Sequence, residues 1–173
     1  MKNILSLIEK NKIYDFSKVK GYSEDELSKI EKLYDINISG NFRLFMLEMG
    51  RCSGGLIGNY PFIFYIDATV REHILAQNSL REDLLRIVSK SYTTFYQYCN
   101  GTFMISLESE ESQFFYLNTK GDNPERVFRF DDNMGIIYDT EQDFLDYLLD
   151  TVKNYKEYYS ERVICTGELL NII

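Results

Sequence analysis

The stretch from Ser23 to Gly50, S-E-D-E-L-S-K-I-E-K-L-Y-D-I-N-I-S-G-N-F-R-L-F-M-L-E-M-G, constrains the fold more than any other. It carries the punctuation of two helices. Ser23 with Glu26 three residues on makes a capping box, in which each side chain accepts the other residue's backbone N–H. Asp25 and Glu26 place negative charge in the first turn, where the helix dipole favours it. Leu27, Ile30 and Tyr34 recur at helical spacing on one face. Ile36-Asn37-Ile38 reads as a brief extended link. Ser39 is placed to cap a second helix with Phe42, Phe45, Met46 and Met49 inward, and Gly50 to end it in a left-handed conformation. The result is an αα-hairpin, a common unit that names no chemistry by itself.

At 173 residues and 45% hydrophobic content the chain is long enough to bury a core, and it reads as a single domain over residues 1–173. No apolar run reaches the ~18–20 residues that span a bilayer. Residues 1–12 are broken by Glu9, Lys10 and Lys12 and lack a small-residue cleavage site. They read as a first helix with Ile4, Leu5 and Ile8 on one face rather than as a signal peptide. Cys52, Cys99 and Cys165 are odd in number and widely spaced, which suits small buried side chains in a reducing cytoplasm.

The net charge of −8 is localised. Residues 101–150 hold twelve acids and three bases, a net of −9, while the rest of the chain is near balance. Such a field repels phosphate backbones and attracts basic partners; the plainer alternative is that these acids only solvate turns and a helix face.

Beyond the hairpin the expected order is mixed. Residues 14–21 form a linker with Phe16 and Val19 tucked inward. Arg51 to Gly58 is a glycine-rich turn without the spacing of a phosphate loop. Asn59 to Ile66 is an aromatic strand, with Pro61 at its start or on an edge. Asp67 caps a helix to about Val88, with Val70, Ile74, Leu84 and Ile87 inward and Asn78-Ser79 as a potential break. Thr93–Tyr98 and Thr102–Leu107 flank Asn100-Gly101 as a hairpin, with Phe103, Ile105 and Leu107 on one face. Strands follow at Phe114–Leu117, Arg126–Phe130 and Gly135–Tyr138. Asp139 or Thr140 then caps a final helix whose stripe is Phe144, Leu148, Val152, Tyr155 and Tyr159, widened by Leu145 and Leu149. Residues 162–173 form either a last strand or a packed tail. A meander of strands with helices packed on it is the natural assembly.

Chemistry is sparse. The one histidine, His73, has no second histidine or cysteine pair to build a zinc site and no nucleophile motif beside it, and is expected at the surface or in a groove. Asp131-Asp132-Asn133-Met134-Gly135 lacks the twelfth-position glutamate of a calcium loop, where Gln142 stands. Carboxylate pairs are too abundant for any one to mark a hydrolase. No catalytic residue, cofactor or metal ligand is therefore expected. Tyr96, Tyr98, Tyr116, Tyr158 and Tyr159 are the tyrosines considered for a contact surface.

The ordered set of segments resembles the SUKH superfamily. Its acidic helix start is similar to Ser23-Glu24-Asp25-Glu26-Leu27, and its link and aromatic helix to Ile36-Asn37-Ile38 and Phe42–Gly50. Its glycine turn and strand are similar to Asn100-Gly101 and Phe103–Leu107. The next strand is similar to Phe114–Leu117, and the closing helix to Asp143–Leu148. The likeness runs from about residue 20 to 155 and departs at Ser39-Gly40, where the family usually has proline. It implies an α+β fold, with a mostly antiparallel sheet of about four to six strands and helices packed around it. It also implies a non-catalytic, cytoplasmic immunity protein that binds and neutralises a cognate, nuclease-type toxin, or alternatively an intracellular regulatory scaffold. No site residue carries over from the family. A basic protein partner, with no direct nucleic-acid or membrane partner, is expected to meet the acids of the turns and helix start: Glu108, Glu110, Glu111, Asp131, Asp132, Asp139 and Glu141.

Overall fold

The computed structural model describes residues 4–8, 15–55, 70–88, 97–108, 112–158 and 169–170, with backbone alone for 107–108 and 155–158. Among the described residues, five helices, α1 (Ile4–Leu7), α2 (Glu24–Tyr34), α3 (Gly40–Met49), α4 (Val70–Val88) and α5 (Phe144–Tyr158), accompany four strands. The strands β1 (Thr102–Glu108), β2 (Gln113–Asn118), β3 (Arg126–Asp131) and β4 (Ile136–Asp143) form one antiparallel sheet in the order β1-β2-β3-β4. The fold class is α+β.

The helical hairpin forms as its sequence dictates. The Ser23–Glu26 capping box is complete, and Leu27, Ile30, Tyr34, Phe42, Phe45, Met46 and Met49 are all buried. Its two ends differ from expectation. The left-handed residue that closes a helix is Asp35 of α2 (φ 53°), whereas Gly50 is right-handed (φ −60°, ψ −25°). Glycine is needed at 50 for closeness, since a Cβ there would lie 2.7 Å from the Met46 Cα. Nor does the Ser39 side chain cap α3. The Glu125 carboxylate, carried in from the turn between β2 and β3, accepts the backbone N–H groups of Asn41 and Phe42 instead, and its charge sits at the positive end of the helix. Gly40 makes room for it. Its φ of 55° is closed to a proline ring, and a Cβ would lie 2.4 Å from the Glu125 carboxyl.

Glu26 also ties the hairpin to the following loop. Its carboxylate accepts the Ser23 N–H at 2.8 Å and pairs with Arg51 at 2.8 Å, and Arg51 lies over the Tyr22 ring. The Ser23 backbone bond, and then the Arg51 bond, pull its pKa down from 4.5 to about 2. A depressed carboxylate pKa gives stability that is present above the unfolded pKa and lost as pH falls through the folded one. Wild-type stability should therefore decline between pH 4.5 and about 2 more steeply than that of Glu26→Gln, measured by urea unfolding at stepped pH. Parallel declines would remove Glu26 as the titrating group.

α1 buries Ile4, and Ile8 just beyond it is also buried. Val19 is half-buried, but Phe16 is 52% exposed on a short 3-10 turn, Phe16–Lys18, and is not tucked inward. α4 runs unbroken through Asn78-Ser79. Its inward stripe is Val70, His73, Gln77, Leu80, Leu84 and Val88, so His73 is buried rather than surface-placed, and Ile87 is exposed. The stripe keeps helical spacing, but polar residues occupy two of its positions.

Asn100-Gly101 does not join two strands. Gln97 and Tyr98 are helical, and the Asn-Gly turn leads into β1. It docks on the turn after β2 through Thr119 N–H to Gly101 O at 3.1 Å and Lys120 N–H to Asn100 O at 2.9 Å. The register of β1 against β2 shifts between Met104 and Ser106, a bulge that breaks the Phe103-Ile105-Leu107 alternation. Residues 59–66, 93–96 and 162–168 lie outside the described residues, as does Tyr159.

α5 starts at Phe144, not at Asp139 or Thr140, because β4 continues to Asp143. Asp143 accepts the Asp146 N–H at 3.1 Å and serves the helix start. Phe144, Leu148 and Val152 are buried and Leu145 and Leu149 half-buried. The tail reaches the core at Leu169, whose N–H donates to the Tyr22 hydroxyl at 3.2 Å. Cys52 and Cys99 are free and buried, and burial raises the Cys99 thiol to about 12. Tyr116 is fully buried against Phe128, with its hydroxyl held neutral by desolvation, and is not a contact tyrosine.

Candidate protein-binding surface

The acidic surface is built by sheet register. Glu108 pairs with Gln113, Gln113 with Asp131, and Asp131 with Ile136, a single row across all four strands. The turns that follow β1 and β3 therefore leave the sheet at the same end, and they touch: the Asp132 N–H donates to Ser112 O at 3.0 Å. This brings Glu108, Asp131 and Asp132 to one end of the sheet. Glu110 and Glu111 lie outside the described residues.

The acids there are not equivalent. Asp131 is only 8% exposed, and its Oδ1 accepts the Met134 N–H at 3.0 Å. It holds the β3–β4 turn, which Gly135 closes with φ 62°. Asp132 is exposed, and beside it Met134 is 61% and Ile136 39% exposed. The end of the sheet thus sets carboxylates beside two exposed apolar side chains.

Asp139 and Glu141 are not at a helix start. They lie farther along β4, toward the opposite end, where Phe128 pairs with Asp139 and Arg126 with Asp143. Asp139 pairs with Arg126 at 3.6 Å and accepts the Glu141 N–H at 2.8 Å. Glu141 has φ 61°, a left-handed conformation unusual for a residue with a Cβ, and the β3–β4 register shifts nearby, between Arg126 and Phe128. Thr140 bonds the Val127 carbonyl at 2.6 Å and accepts the Gln142 N–H at 3.3 Å. This end of β4 is thus closed by its own side chains.

Sequence reasoning missed Gln77. Its amide donates to Met104 O at 3.0 Å and accepts the Met104 N–H at 2.7 Å, and Arg81 donates to Thr102 O at 3.0 Å. α4 therefore seals the outer edge of β1 as a neighbouring strand would. A glutamine at helical spacing with the apolar residues of the α4 stripe was the available signal. Among the described residues no three His, Cys, Asp or Glu side chains gather as a metal site, and no helix is long and apolar enough to cross a membrane. Compared with family models, curated proteins and solved structures, the chain finds no match in any of the three.

Proposed function

We propose that this chain is a non-catalytic binding protein whose acidic sheet end engages a basic protein. On its resemblance to the SUKH superfamily, the partner is a nuclease-type toxin that it neutralises in the cytoplasm by occupying the toxin's nucleic-acid cleft. The observation that carries the reading is the Glu108–Gln113–Asp131–Ile136 row, which gathers two acidic turns and an exposed apolar pair at one end of the sheet. Like charges crowded together oppose folding, and apart from Asp131, which holds its turn, we read these acids as serving recognition. A basic cleft would be drawn to them, and such charges act mainly on association rate and screen with salt.

The test changes Glu108, Glu110 and Glu111 together to Gln and measures association with the cognate toxin at low and high salt. A slower on-rate with a flatter salt dependence is expected, with the fold intact. Equal on-rates at low salt would remove this turn from the recognition surface. A native-host partner that is neither basic nor toxic would favour the scaffold role.

A further inference from the structure

We infer that the outer edge of β4 is a docking site for a basic, extended peptide segment of the partner, which adds to the sheet as a further strand. This rests on the reading that the acidic end engages a basic protein, and specifies how it does so.

The two edges of the sheet are treated differently. At β1, Gln77 and Arg81 satisfy the outward backbone groups of Met104 and Thr102. These bonds also fix the direction of every backbone group in the sheet, because antiparallel residues alternate between facing one neighbour and facing the other. Met104 faces α4, so Tyr116, opposite it, faces β3, and Phe128, opposite Tyr116, faces β2. The next residue, Arg129, then faces β4 and bonds Tyr138, its partner. Ile137 and Asp139 consequently turn their N–H and C=O groups away from β3. The Asp132 N–H to Ser112 O bond falls in the same series and agrees with it.

Among the described residues nothing pairs with this outer edge. The bulged end beyond it is closed by Asp139 and Thr140 side chains, so the open length runs from Ile136 to Asp139. An open edge with unpaired main-chain groups is a template for another strand.

Charge selects the occupant. Asp132, Asp139 and Glu141 are exposed along β4 and its turn, and the two bases of the adjoining strand β3 are engaged, Arg126 with Asp139 and Arg129 over the Tyr138 ring. A second copy of this chain would crowd a second set of the same carboxylates onto this edge, which like-charge repulsion disfavours. A segment alternating basic and apolar residues places its charges beside these carboxylates and lets main-chain bonds form with Ile137 and Asp139.

The experiment uses an end-blocked ten-residue peptide alternating lysine and valine, and the same peptide N-methylated through its central residues. Charge is unchanged between them, but the methylated form cannot donate main-chain bonds. The parent should bind the full chain about tenfold or more tighter than the methylated form, the factor expected from losing two main-chain hydrogen bonds. It should also slow amide exchange at Ile137 and Asp139. Ile137→Pro, which removes an outward N–H without touching the β3 ladder, should bind the parent as weakly as wild type binds the methylated form.

Equal binding of both peptides would overturn strand addition while leaving an acidic surface that holds basic chains by charge. Binding of neither would overturn the basic-partner reading together with it. Protection confined to other amides would also overturn the proposal. So would a wild-type dimer in sedimentation that Ile137→Pro converts to monomer, because the edge would then belong to a second copy.

Discussion

Phe144→Ala should destabilise the protein by about 3–5 kcal/mol, the range for deleting a fully buried ring. Phe144 is 0% exposed. Its ring lies 5.0 Å from that of Phe42 and 5.2 Å from that of Phe45, both tilted edge-on. Its backbone N–H donates to Glu125 O at 2.8 Å, so the residue that starts α5 is bonded to the residue whose carboxylate caps α3. One residue therefore joins the closing helix to the hairpin through its ring and to the β2–β3 turn through its backbone. Alanine would leave a cavity between elements that cannot all move inward together, because each is also held by the sheet or by a cap. Urea unfolding reads the loss directly. A change below about 1 kcal/mol, typical of surface positions, would mean that the ring does not sit at this junction.

Gln77→Met should cost about 2–6 kcal/mol, a large effect for an unbranched, similarly sized replacement. Gln77 is 3% exposed and bonds both backbone groups of Met104. Methionine fills the space but leaves a buried donor and a buried acceptor unpaired, at about 1–3 kcal/mol each. Two measurements check it: the urea midpoint and amide exchange at Met104, which should accelerate beyond the global change. A variant as stable as wild type would show that water or a neighbouring group satisfies Met104. The contrast with β4 is the point of the experiment, because a helix seals the outer edge of β1, whereas the outer edge of β4 is unpaired among the described residues.

What the sequence determined by itself was local. The capping box at Ser23, the inward residues of α2 and α3, the three later strands of the meander and the stripe from Phe144 to Val152 all follow from spacing and side-chain chemistry within a few residues. Those signals need no partner elsewhere in the chain. Tertiary structure decided everything that depends on a group brought from afar. Ser39 had the chemistry of a cap, but Glu125 takes its place because the β2–β3 turn delivers a carboxylate to the helix end. Asp139-Thr140-Glu141 reads as a helix start, yet pairing with β3 extends β4 through it, since a ladder of inter-strand bonds outweighs a capping preference. His73 reads as a surface or groove residue, yet it lies on the buried face of α4. Gln77 turns inward because its amide pairs a strand edge that no local pattern reveals. The acids of residues 101–150 were plain in the composition, but which of them share an end was not. Register alone sets that: a strand's length and pairing decide where each carboxylate emerges, and both are fixed by contacts between residues distant in the chain.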